Sequence, residues 1–183
     1  VLDALRPVLE DPARPKLGQH GKYDLHVLRR HGVAVQGYHD DTMLESFVLN
    51  STATRHDMDS LSLKYLGHKT IGFEEIAGKG AKQLTFNQIA LEEAAPYAAE
   101  DADVTLRLHE TLWPRLEAEQ SLAGVFRDIE MPLVSVLSRV ERNGCYVDTD
   151  MLRKHSQELA RRMAELEEQA YAEAGRRFNL GST

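Results

Sequence analysis

Between Pro15 and Asp40 the hydrophobic period changes twice, and this change restricts the architecture more than any other feature of the chain. "PKLGQ" is short and fits a buried strand, closed by Gly18 and Gly21. "KYDLHVLRRHG" sets Leu25 and Leu28 on one side at helical spacing, and Gly32 is a natural C-terminal stop. "VAVQGYHD" alternates apolar and polar residues and is the expected second strand. Strand, helix and strand within about thirty residues form the βαβ grammar of a parallel sheet with a right-handed crossover. The expected fold class is therefore α/β.

Most of what surrounds this unit has helical periodicity. "LRPVLED" reads as the end of an amphipathic helix. "DTMLESFVLNS" opens another, with Asp41 placed as a cap rather than a ligand, and Asp57 in "RHDMDSLSLKYLG" caps the next. "HKTIGFEEIAGKGAKQLTF" is a connector with local order only. Its "GKGAK" lacks the strand-to-helix context and the Lys-Ser/Thr ending of a phosphate-binding loop. A helix is expected over residues 89–113, with Pro96 predicting a kink or restart just before Tyr97. After Pro114 the style changes, and a domain boundary is expected near residue 117. "SLAGVFRDIEMPLVSVLSRVERNG" gives one or two apolar-faced helices interrupted at Pro132. Asp148 or Thr149 then caps a long helix rich in Glu, Arg, Ala and Leu, which reads as a solvated arm.

The chemistry begins with "YAAEDADVT", residues 97–105. On a helix Tyr97 shares its face with both Glu100 and Asp101, whereas Asp103 points elsewhere. Asp24 lies on the first turns of the helix that follows the first strand, at the carboxyl end of the sheet where ligands collect. Carboxylates converging from separate elements suit hard divalent cations. A two-metal phosphodiester hydrolase needs such a set, with metals ~4 Å apart. Spacing alone leaves solvated helix faces as the commoner explanation, and it does not choose between Glu100 and Asp101.

Charge and composition narrow the alternatives. The net charge of −7, from 22 basic and 29 acidic residues, argues against broad adhesion to a phosphate backbone but not against a carboxylate-and-metal nuclease. The eight histidines show no H-E-x-x-H or Cys/His spacing, which argues against zinc, and His26, His31 and His109 read as surface or packing residues. The single Cys145 excludes an intrachain disulfide and suits a reducing compartment. No apolar run approaches the ~20 residues that span a bilayer, and the N-terminal segment lacks a signal-peptide core. These features lead to an expected cytoplasmic location. A first residue of Val leads to the expectation that the chain begins inside a longer protein.

Three long blocks then meet a family. "GQHGKYDLHVL", "DTMLESFVLNSTATRHDMDSLSLKYLGHKTIGFEEIAGKG" and "QLTFNQIALEEAAPYAAEDADVTLRLH" closely resemble the 3′-5′ proofreading exonuclease domain of bacterial family A DNA polymerases. "FRDIEMPLVSVLSRVERNGCYVDTDMLRKHSQEL" resembles the passage into the base of the polymerase thumb in the same family. The resemblance implies a ribonuclease H-like α/β fold over residues 1–116, followed by thumb-base helices of the polymerase domain over 117–183. It implies a DNA partner with a single-stranded or frayed 3′ end, two divalent cations (Mg²⁺ or Mn²⁺), a monomer, and work at the bacterial nucleoid.

The resemblance also assigns roles. Asp24 matches the acid of the second exonuclease motif, which helps hold the second metal. Tyr97 and Asp101 match the Tyr-x-x-x-Asp third motif, in which the aspartate ligates the first metal and the tyrosine orients the attacking water. Gln19, Tyr23, Arg55 and Phe73 match positions that line the groove for the frayed end, and Phe73 would stack on a terminal base. His20 stands where the family usually has Asn, and its charge varies near neutral pH. The first motif, an Asp-x-Glu, is expected upstream of Val1, so the segment alone is expected to be inactive and to leave sheet edge unpaired. A ribonuclease D-like exoribonuclease and a catalytically inactive scaffold domain are the competing readings. The match from Phe126 to Leu159 argues against the first. Retention of Asp24, Tyr97 and Asp101 together argues against the second.

Overall fold

In the computed structural model, which describes residues 1–53 and 55–181, the expected βαβ unit is present. Helix α1 (Leu2–Leu9) leads to β1 (Lys16–Gly18), α2 (Lys22–Arg30) and β2 (Tyr38–Asp41). The strands pair in parallel, Leu17 with Asp40 and Gly18 with Asp41, with an irregularity between Lys16 and Leu17. The second strand is shorter than the alternation of "VAVQGYHD" predicts, because the backbone of residues 33–36 is bonded elsewhere. The Val33 amide donates to Leu28 O, the Ala34 amide to the Glu10 carboxylate and the Gln36 amide to Leu9 O. Helix ends, not a neighbouring strand, take those donors. Gly32 ends α2 in the left-handed conformation, at φ +75°.

Helix α3 (Thr42–Leu49) is capped by Asp41, and α4 (Met58–Leu61) by Asp57, as the residue types predict. A π-helical turn over Ser62–Leu66 and a left-handed Gly67 close this segment. The connector is more ordered than its composition implies. It contains α5 (Phe73–Ala77) and two 3₁₀ turns, the second locked by a reciprocal Thr85–Gln88 capping box.

Helix α6 (Leu91–Ala118) is the spine of the site-bearing unit. The restart expected at Pro96 does not occur, and the helix continues through Pro96 and Pro114 alike. Val104, Leu108, Leu112 and Leu116 recur every fourth residue and are fully buried. Leu61 joins the first three in one cluster, against which Leu49, Met58 and Leu66 pack. Burial of four such side chains, each worth ~2 kcal/mol, offsets the ~3 kcal/mol that a helix-interior proline can remove. One stripe of α6 is thereby fixed against α3 and α4, which sets the direction of its remaining faces.

After α6 come α7 (Gln120–Val125), a π-helical turn over Phe126–Glu130, and α8 (Met131–Asn143). Pro132 is the second residue of α8, so the interruption read from the sequence takes the form of a widened turn just before it. The chain divides into two compact units, Val1–Asn143 and Gly144–Thr183. Residue 117 is not a break in packing, since α7, α8 and the turn between them lie within the first unit. The second unit carries α9 (Thr149–Ala174), capped by Asp148 and burying no side chain. No helix is long and apolar enough to cross a membrane among the described residues.

Candidate active site

The short β1 ends in a tight turn that starts α2, and this turn delivers Asp24. His20 adopts the left-handed conformation at φ +56°, which Asn and His tolerate better than most residues. Gly21 follows, and a Cβ there would overlap the Tyr38 phenol. Both amides of the turn are held by one buried acid. The His20 N–H donates to Asp41 Oδ1 at 3.1 Å, and the Gly21 N–H to Oδ2 at 3.0 Å. Asp41 also accepts from the Tyr38 hydroxyl at 2.7 Å and from the Met43 amide at 3.0 Å. Asp41 is therefore the cap foreseen in the sequence and, in addition, the clamp between the end of β2 and the start of α2.

Asp24 and Asp101 line one open cavity of about 540 Å³ with Gln19, Met58 and Thr105. They arrive from different helices, Asp24 from α2 and Asp101 from α6. Glu100, the alternative that spacing left open, is occupied elsewhere. Its carboxylate accepts from the Ile71 amide at 2.6 Å and contacts His68 Nε2 at 2.8 Å. The backbone hydrogen bond, followed by the histidine, holds the Glu100 carboxyl below its ordinary pKa. Glu100 is an anchor for the connector, and Asp101 is the acid that faces the cavity.

Tyr97, one turn before Asp101, is braced by two aromatic rings. Phe73 meets it edge-on and Phe86 at a tilt, each with a centroid separation of 6.1 Å. Burial, then the charges of Asp101, Asp59 and Glu100, raise the Tyr97 pKa, so the phenol keeps its proton at neutral pH.

Burial likewise raises the pKa of Asp101, with Glu100 and Asp59 adding to it. Burial raises that of Asp24, opposed by His20 and reinforced by Asp41. A raised carboxyl pKa means that the fold disfavours the ionised form. The associated stability is complete below the ordinary value of 3.8 and is lost as the pH rises through the higher folded value. Asp101→Asn in chelator-treated protein should accordingly raise the unfolding midpoint at pH 7, with a gain that vanishes below about pH 4. An unchanged or lower midpoint at pH 7 in a thermal melt would contradict this electrostatic account.

The remaining sequence-named residues divide. Gln19 borders the cavity, but its amide is engaged within the protein, donating to His56 O at 2.9 Å and accepting from the Thr42 hydroxyl. His20 lines a different cavity, beside Met43 and Leu137. Tyr23 is 66% exposed, Arg55 is exposed and paired with Asp57 at 3.3 Å, and Phe73 is 37% exposed above Tyr97. Asp59 was not legible in the sequence. It accepts from the Thr70 hydroxyl at 2.6 Å and adds negative charge near both Tyr97 and Asp101. Only the packing of α4 beside α6 reveals it.

Comparison with known proteins supplies an independent line. A sequence model of the 3′-5′ exonuclease family matches residues 1–117. The chain is 66% identical over 184 residues to the DNA polymerase I of Pseudomonas aeruginosa, covering 100% of this chain and 20% of that protein. It is 45% identical over 181 residues to the DNA polymerase I of Rhizobium leguminosarum, covering 99% of this chain and 18% of the relative. Among solved structures, it resembles the POL domain of Pol1 from M. smegmatis in complex with DNA primer-template and dNTP. That match has a TM-score of 0.75 and 25% identity, over 99% of this chain and 28% of the other. The chain thus spans about a fifth of the length of these curated relatives.

Proposed function

This chain belongs to the 3′-5′ exonuclease family, and from that premise we propose that it supplies the second and third motif acids of a proofreading exonuclease within a DNA polymerase I. The observation that carries the reading is the convergence of Asp24 and Asp101 on one cavity from two helices, with Tyr97 one turn away. The substrate is the frayed, single-stranded 3′ end of a DNA primer. Water attacks the phosphorus of the terminal linkage, the bond from phosphorus to the 3′ oxygen breaks, and a deoxynucleoside monophosphate leaves behind a 3′ hydroxyl.

The residues fit divalent cations. Two carboxylates share a cavity, and burial first, then nearby acids (Glu100 and Asp59 for Asp101, Asp41 for Asp24), raises their pKa values, a cost that a cation relieves. Asp24 and Asp101 would hold Mg²⁺ or Mn²⁺ together with an Asp-x-Glu pair from elsewhere in the polymerase. A cation held there would lower the pKa of a water and offset negative charge on the phosphoryl oxygens. Tyr97, protonated and braced by Phe73 and Phe86, orients the attacking water. Residues near 117 mark the passage from exonuclease to thumb-base sequence. The protein acts as a monomer at the bacterial nucleoid.

A primer with a mismatched 3′ nucleotide tests the reading in the full-length protein. Stepwise Mg²⁺-dependent release of monophosphates is expected, whereas preferential trimming of an RNA 3′ end would favour the ribonuclease D-like alternative. Phe73 carries a second expectation, because it is partly exposed and stacking on a base contributes ~1–3 kcal/mol. Phe73→Ala should raise KM for a single-stranded end by about tenfold. Its effect on kcat reports how far the Tyr97 brace depends on this ring. An unaltered KM would remove Phe73 from the substrate groove.

A further inference from the structure

Away from the Asp24–Asp101 cavity, three metal-ligating side chains from β2, α3 and α6 meet. Asp40, Glu45 and His109 each offer one ligand atom, and these atoms lie within 4.8 Å of one another. Glu45 is completely buried on the first turn of α3, and His109 contacts its Oε1 through Nδ1 at 2.6 Å. The other carboxylate oxygen, Oε2, is buried without a hydrogen-bond partner among the described residues. A buried, unsatisfied carboxylate oxygen is costly, and a bound cation is one of the few groups that can satisfy it. The His109 ring is stacked on Trp113 at 6.1 Å with 22° between the planes, which limits its rotation.

We propose that Asp40, Glu45 and His109 form a second cation site, distinct from the exonuclease metals and suited to Zn²⁺. Two carboxylates and one imidazole are the donor set of a three-ligand zinc site, whereas the nitrogen donor disfavours Mg²⁺. Asp40 and His109 border a cavity of about 690 Å³, with Trp113 and Arg127. No lining residue is shared with the cavity of Asp24 and Asp101. A bound ion would tie the β2 strand to the two helices that frame it.

The test uses full-length protein carrying Asp24→Asn and Asp101→Asn, stripped with chelator and titrated with Co²⁺. One equivalent showing visible d–d absorption, bleached by Zn²⁺, is expected. In the same background Asp40→Asn and His109→Gln should weaken Co²⁺ binding by at least about tenfold. Because changes at Glu45 or His109 can unfold the chain, Asp40→Asn, at a half-buried position, is the decisive variant. Zn²⁺ should raise the melting temperature of the parent and leave that of Asp40→Asn unchanged. Equal Co²⁺ affinity and equal Zn²⁺ stabilisation in the parent and Asp40→Asn would overturn the site.

Discussion

Asp101→Asn in the full-length protein is expected to lower the rate of 3′-5′ excision by about three orders of magnitude while primer extension proceeds at its normal rate. The carboxamide preserves the shape of the side chain and removes the charge that would ligate a cation. Metal-assisted steps owe several kcal/mol to such charge stabilisation, and ~4 kcal/mol corresponds to a thousandfold. The backbone at this point does not depend on the carboxylate: Asp101 O accepts the Thr105 hydroxyl at 2.7 Å, and α6 is held by Val104 and Leu108. Single-turnover excision of a labelled mismatched nucleotide, run beside an extension assay, measures both outcomes. Glu100→Gln is the informative control. Its carboxylate anchors the connector, so excision should fall by less than about tenfold. Equal losses in the two variants would sink the assignment of Asp101, and so would loss of extension together with excision.

The second large effect is expected at Asp41. This acid is 2% exposed and accepts from His20, Gly21, Tyr38, Met43 and Leu44. Asp41→Ala removes every one of these acceptors at once and leaves several donors without partners. Each unsatisfied buried group costs roughly 1–3 kcal/mol, and loss of the cap adds about 1 kcal/mol. A loss of ~3 kcal/mol or more is therefore expected, read as a lowered thermal midpoint for this part of the protein. Excision should decline as well, because the turn that positions Asp24 is released. Asp41→Asn retains one acceptor oxygen and should lie between the two. A melt within a degree of the parent for Asp41→Ala would show that the clamp is dispensable.

Much of this arrangement was legible in the chain. The change of period at residues 15–40 gave the parallel pair, because one face of each short element must be buried. Asp57 was readable as a cap because a free carboxylate before an apolar run has few other local uses, whereas the long helix left Asp148 or Thr149 open and the fold takes Asp148. The restart read from Pro96 is absent, since local propensity cannot register four apolar side chains buried further along the same helix. Likewise, the alternation of Val33 to Gln36 could not reveal that helix ends claim the neighbouring amides. The acid pair Glu100 and Asp101 was unresolved by spacing, and the Ile71 amide distinguishes them only after folding. Asp40, Glu45 and His109 were invisible as a set, because His109 is 64 residues from Glu45 in sequence.

Glu100 also gives α6 a mechanical property. It fastens residues 68 and 71 to the helix, two positions before Phe73, while Tyr97 one turn earlier touches Phe73 itself. The ring that would grip a strand end and the α6 half of the site, Tyr97 and Asp101, therefore share one mount. A shift of α6 would carry Phe73, Tyr97 and Asp101 together, whereas Asp24 stays with α2. If Phe73 holds a strand end, the distance from that end to Asp101 would be set by α6 and not by the stiffness of the connector.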